Sequence, residues 1–299
     1  MKSNVKTFSP AGIQDQPSHQ VTLPNGVVLN YVRQGAGPVV FLIHGAMGDL
    51  RSWEPQWNSF TVHFDCISYS RRYSYPNPNA LTTRSHNAMV DAEDLFGLMD
   101  CLSIESAILV GSSYGGFTAL AAANISPQRV RAVVAVEPPM MRYAEMTADG
   151  AQVAQAFRES AILPARAAFE RGDDMEGTRI LTGGIIGRKP DAIPAAIMER
   201  RMQNAQAARS LSLSDDEFPL IEPSELSALQ MPILLMSGAN TAPVHAAIFK
   251  NVSASIPKAR IRIIKDSGHS VSQQQPTVFN AEVFEFLASS GCLKNLEPA

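Results

Sequence analysis

Six short apolar runs, each closed by turn residues and separated by segments of helical period, constrain this chain more than any other feature. They span 38–43, 64–70, 106–111, 130–136, 232–238 and 259–265. Their apolar residues are continuous rather than alternating, the pattern of strands covered on both faces in a parallel sheet. Helical periodicity falls at 84–102, 115–124, 244–256 and 276–287. Strand alternating with helix predicts an α/β sheet wrapped by helices. Ahead of it, HQVTL and VVLNYVRQ flank Pro24-Asn25-Gly26, which predicts an opening hairpin and eight strands in total.

The alternation breaks across 138–230, a stretch rich in Ala, Arg and Met with helical spacing and no β-like run. A helical cap inserted there would divide the core into 1–137 and 231–299. Pro164, Gly172, Gly183-Gly184, Gly187 and Pro190 are expected to cut the cap into several short helices. With 299 residues, 45% of them hydrophobic, the chain can bury one large core, or a core and a subdomain. A formal net charge of −3 with both signs scattered provides no basic stripe for nucleic acid and no polybasic patch for a membrane surface. The first 20 residues carry no apolar signal-peptide core, and no later stretch reaches the roughly 18 apolar residues of a membrane span. The expectation is a soluble, cytoplasmic protein. Cys66, Cys101 and Cys292 are an odd number without metal-ligand spacing, so reduced thiols are expected.

The chemistry concentrates in Gly111-Ser112-Ser113-Tyr114-Gly115-Gly116, which lies between the run AILV and the small-residue segment GGFTALAAA. This is GxSxG in a strand, turn, helix context. Small neighbours let the backbone turn sharply and lift the Ser113 hydroxyl above the sheet at a helix N-terminus. Ser112 stands one residue early and is assigned to packing or capping. A hydroxyl needs a base within hydrogen-bond reach. His269, in Asp266-Ser267-Gly268-His269 after the last run, stands at the carboxyl edge of the sheet, where α/β folds bind ligands. His44 reads as a structural loop residue, and His19, His63, His86 and His245 as residues of strand edges or helices.

HGAMG after the third strand, GSSYGG after the fifth and DSGH after the eighth together resemble the α/β-hydrolase family over nearly the whole chain. The resemblance implies a Ser-His-acid relay and an oxyanion hole from the backbone N–H groups of Ala46 and Tyr114. Most family members carry an aspartate after the seventh strand, but this chain reads MSGANTAPVH there, with no carboxylate. Glu137, in Val136-Glu137-Pro138-Pro139 after the sixth strand, takes the position of the acid in some haloalkane dehalogenases and in the zearalenone lactonases. An EPP sequence also occurs in relatives with an ordinary aspartate, where it is not the acid. The resemblance therefore implies Ser113, His269 and Glu137 as the catalytic residues.

Met47, Trp53, Tyr73, Met140 and Met141 are candidate substrate contacts, with core packing as the alternative for Trp53 and its neighbour Trp57. Arg71 and Arg72 either reach substrate or pair with Asp91, Glu93 or Asp94, whose cluster otherwise reads as a solvated face. The other methionines of the cap suggest an adaptable apolar lining, and Arg142, Arg200 and Arg201 either recognise a carboxylate or stay in solvent. The expected activity is cleavage of a carboxylic ester or lactone through an acyl-enzyme, with no cofactor and no metal. Carbon–carbon bond hydrolysis, cofactor-free perhydrolysis and acyl transfer use the same groups, and a receptor that binds without turnover is the reading from another class. The expected partner is a small, apolar ester or lactone, and a homodimer is compatible with the sequence. A serine nucleophile disfavours epoxide-hydrolase and dehalogenase chemistry, which proceeds through an aspartate ester.

Overall fold

A computed structural model describes residues 12–293; most of the polar leader lies outside them. Eight strands form one sheet: β1 His19–Thr22, β2 Val28–Gln34, β3 Val39–Ile43, β4 Asp65–Tyr69, β5 Ala107–Ser112, β6 Val130–Val136, β7 Ile233–Gly238 and β8 Arg260–Ile264. Their order is β1-β2-β4-β3-β5-β6-β7-β8. The first two form the hairpin, β2 runs antiparallel to β4, and every later pairing is parallel.

Burial on both faces explains the continuous apolar runs. Along β3, Val40 and Leu42 enter one core while Phe41 and Ile43 enter the other, and β5, β6 and β7 divide their residues in the same way. Helices α1 Glu54–Thr61, α2 Ala88–Cys101 and α3 Tyr114–Ile125 follow the early strands. Trp53, Trp57 and Phe60 cover one face together with Phe279, while α2 and α3 cover the opposite face.

Between β6 and β7 the chain runs through α4 Met141–Ala144, α5 Ala148–Phe157, α6 Leu163–Glu170, α7 Asp174–Ile186, α8 Ala195–Met202, α9 Ala205–Ser212 and α10 Pro223–Ala228. Two of the expected breakers do not break. Gly183 and Gly184 lie inside α7, and a Cβ on Gly184 would come within 2.4 Å of the Ala161 Cβ. These glycines admit a close helix crossing rather than a turn. Pro164 opens α6 directly after a π turn, Arg158–Ile162, that continues α5; a local π turn is one of the ways a helix accommodates a residue without an N–H. Gly187 does end its helix, with φ +66. The chain then completes the fold with α11 Pro243–Ser255, α12 Val271–Gln274 and α13 Pro276–Ser289. Among the described residues, no helix is long and apolar enough to cross a membrane.

Candidate active site

At the end of β5 the backbone turns so tightly that side chains are excluded on both sides. A Cβ on Gly111 would lie 2.2 Å from the Gly115 carbonyl oxygen, and one on Gly115 would lie 2.1 Å from that of Ile43. Between them Ser113 takes φ +53 and ψ −123, a conformation that costs energy for a residue with a Cβ and that gathers at functional sites. Ser113 N–H donates to the Val136 carbonyl at 2.7 Å, which ties the turn to the end of β6. Ser112 remains in β5.

Glu137 follows β6 with φ +41, and its carboxylate collects four donors. Ser237 Oγ (2.6 Å) and Gly238 N (2.9 Å) bind Oε1, while Thr241 Oγ1 (2.7 Å) and His269 Nδ1 (2.6 Å) bind Oε2. Burial alone would raise this carboxyl. The hydrogen bond and charge of His269, aided by the two hydroxyls, overrule it and hold the group well below the usual carboxylate range. His269 stands in the loop after β8, which Gln274 pins by accepting the Gly268 N–H at 2.6 Å. Its Nε2 lies 2.9 Å from Ser113 Oγ. The ends of β5, β6 and β8 thus bring Ser113, Glu137 and His269 into one hydrogen-bonded chain.

The loop after β3 passes directly beside Ser113: a Cβ on Gly45 would sit 3.3 Å from that of Ser113. Among the described residues, no protein acceptor is spent on the backbone N–H of Ala46 or of Tyr114, the first helical residue of α3. Both therefore remain available to a ligand. His44 braces the loop, its Nε2 accepting from the Arg71 N–H at 2.9 Å and its Nδ1–H donating to the Gly45 carbonyl at 2.8 Å. Burial, then the Arg71 charge, depress this imidazole to about 3.

A cleft opens at Ser113 and His269. Ala46, Tyr114 and Met141 line it. Met47 sits in a small apolar cluster with Phe169 and Leu181, Met140 is buried in the core, and Tyr73 packs edge-on against His86. Trp53 lies in the core against Phe279, away from the cleft. Met146 and Met175 are exposed, so the apolar lining comes instead from side chains such as Phe157, Ile162, Ile185 and Leu211. Among the described residues no arginine lines the cleft: Arg142 pairs with Asp216 and Arg200 approaches Asp49, while Arg201 holds the Met47 carbonyl at 2.7 Å. Arg71 pairs with Asp91 and Arg72 with Asp94. The solvated acidic face is therefore corrected, because these two aspartates are buried counter-ions and Glu93 alone of the three faces solvent.

Besides those apolar side chains, sequence reasoning missed two polar residues of the cleft, His245 on α11 and Glu217 after α9. Neither belongs to a motif, and only packing brings them in. Glu137, His245 and His269 place ligand atoms within 4.8 Å of one another, a spacing that a metal ion accepts. Their geometry suits a proton relay better. Glu137 and His269 are already bonded to each other, and the two imidazoles are stacked, so their in-plane lone pairs run side by side rather than converging on one point.

The family model described as "Alpha/beta hydrolase family" matches residues 39–282. Carboxylesterase YbfK of Bacillus subtilis (strain 168) is 27% identical over 266 residues, covering 84% of this chain and 80% of that protein. Its crystal structure superposes with a TM-score of 0.68 at 22% identity, over 92% of each chain. Est816, described as an N-acyl homoserine lactone degrading enzyme, reaches 0.69 at 21% identity, over 90% of this chain and all of that one. With the match spanning most of the sheet and all three residues of the hydrogen-bonded chain, the protein belongs to the alpha/beta hydrolase family.

Proposed function

We propose that this protein is a serine hydrolase that cleaves a carboxylic ester or lactone through an acyl-enzyme on Ser113. The observation that carries the reading is the unbroken sequence of contacts Ser113–His269–Glu137, at 2.9 and 2.6 Å, opening onto an apolar cleft. In this reading His269 takes the Ser113 proton as the oxygen attacks the carbonyl, and Glu137 stabilises the imidazolium and fixes its tautomer. The N–H groups of Ala46 and Tyr114 receive the oxyanion. His269 then gives its proton to the leaving alcohol, and water enters by the same route to release the acid. No cofactor takes part.

The helical segment 138–230 acts as a cap on the 1–137 and 231–299 core and supplies Met141, Phe157 and Leu211 to the cleft. Three unpaired cysteines support a reducing, cytoplasmic setting. The test is a panel of p-nitrophenyl esters of rising chain length with several lactones, and the Ser113→Ala protein as blank. A rapid burst of p-nitrophenol that vanishes in the variant is expected; equal turnover by both proteins would refute the reading.

A further inference from the structure

Two polar side chains in the cleft make no full hydrogen bond to the described residues. Glu217 is held on the cleft wall by its own backbone, whose carbonyl accepts the Tyr114 hydroxyl at 2.8 Å. Its carboxyl has no hydrogen-bond or ion-pair partner among the described residues. Protein surrounds it closely while part of its surface stays open, as a cleft-lining group requires. His245 is 4% exposed; among the described residues neither ring nitrogen meets a partner at hydrogen-bond geometry, and the Ile185 backbone carbonyl is only a weak polar neighbour. Most of the remaining wall is apolar, including Pro139, Met141, Phe157, Leu181 and Phe218. Buried polar groups are normally satisfied, so a cleft-facing group that lacks a partner is a place where a bound molecule can supply one.

Both groups are uncharged near neutral pH. Burial raises the Glu217 carboxyl to about 8, against the opposing pull of Arg158 on the π turn and Arg166 on α6. These arginines are committed to Glu145 and Glu170. Burial, then the nearby His269, depress His245 to about 3, while Glu137 pulls the other way. Among the described residues, no lysine or arginine lines the cleft. A substrate carboxylate would be buried there without a counter-charge, and an ammonium would meet two neutral groups with two arginines behind them. A hydroxyl fits, because it can donate and accept in the same place.

Resting on the hydrolase reading above, we infer that the natural substrate is an uncharged ester or lactone bearing a hydroxyl on the part that fills this cleft, and that Glu217 selects it. The test compares p-nitrophenyl hexanoate with its 6-hydroxy, 6-amino and 6-carboxylate analogues on the acyl side, and hexyl acetate with 6-hydroxyhexyl acetate on the alcohol side. In at least one series the hydroxyl compound should exceed its parent in kcat/KM by about tenfold, mainly through KM, and both charged compounds should fall below the parent. Glu217→Leu should erase the hydroxyl preference, and Glu217→Gln, which keeps a donor and an acceptor, should retain it. Equal use of parent and hydroxyl compounds in both series, a preferred carboxylate, or a preference surviving in Glu217→Leu would overturn the inference. If no ester is turned over above the Ser113→Ala blank, the hydrolase reading fails instead. Thermal stabilisation by 1,6-hexanediol beyond that by 1-hexanol, lost in Glu217→Leu, then decides the hydroxyl site by itself: its presence supports the inference and its absence overturns it.

Discussion

The imidazole of His245 lies flat against that of His269, with ring centroids 4.1 Å apart and planes 21° from parallel. This contact closes one face of His269 and leaves both edge nitrogens to Ser113 and Glu137. A neutral ring can do this without repelling an imidazolium, and burial keeps His245 neutral. His245→Ala should therefore lower kcat by about tenfold, the scale of one aromatic contact, and His245→Phe should restore most of it. Steady-state kinetics on a chromogenic ester check this. Unchanged kcat in the alanine variant would leave the stack no positioning role.

Glu137 is oriented by Ser237, Gly238 and Thr241 before it orients anything itself. Glu137→Gln keeps the shape and removes the charge, so kcat should fall by about three to four orders of magnitude while the far-UV circular dichroism stays native. Thr241→Val removes one donor on the oxygen shared with His269 and should cost about tenfold in kcat. A glutamine variant with near-normal turnover would exclude Glu137 as the acid.

Most of the sheet was legible because each strand from β3 to β7 is buried on both faces, so hydrophobicity alone marks it. Ser113 and Glu137 stood out because each directly follows a strand and His269 because it stands in the loop after β8, and parallel strands end on one edge. The start of α2 was placed too early: Asn87 caps it by accepting from Met89 and Val90 N–H, a local signal that the helical period overran. Gly183-Gly184 misled because glycine marks both turns and close helix crossings, and the crossing partner, Ala161, lies in another helix. His245 and Glu217 were illegible for the same reason. Their roles come from what packs beside them, across distances in sequence that no spacing rule covers.

Acid should weaken the fold earlier than carboxylates alone predict. His44, His86 and His245 are buried with folded pKa values lowered, chiefly by burial. Each keeps its stabilising contribution above the unfolded value near 6.5 and loses it as pH falls toward the folded value. Glu217, with its folded value raised to about 8, works oppositely between about 4.5 and 8, because the unfolded chain releases that proton first. Near pH 5, unfolding thus takes up about two protons at His44 and His245 and releases about one at Glu217, a net of about one, to which His86 adds in the same direction. Stability should fall as the pH is lowered with a slope of at least roughly 1.5 kcal/mol per pH unit there. Urea midpoints from pH 4.5 to 7 measure this, and a flat profile down to pH 4.5 would contradict it.

Arg71 reaches both halves of the proposed oxyanion site. Its Nη2 donates to the carbonyls of Gly45 and Ala46 at 3.2 Å each, and its guanidinium lies 5.0 Å from the centre of the Tyr114 ring. Asp91, 1% exposed, neutralises it. Removing the cation strands a buried carboxylate, so Arg71→Ala should destabilise the protein by about 3–5 kcal/mol. Arg71→Lys keeps the charge but has one nitrogen where the fork used several. It should lose less stability, yet loosen the Gly45 and Ala46 carbonyls and with them the aim of the Ala46 N–H, which shares the Gly45 peptide plane. For that variant the expected result is a fall in kcat of about tenfold or more with a smaller change in KM, read beside thermal melting of the same preparations. If kcat survives in Arg71→Lys while only melting temperature drops, the arginine supports the core and the loop after β3 holds its geometry without it.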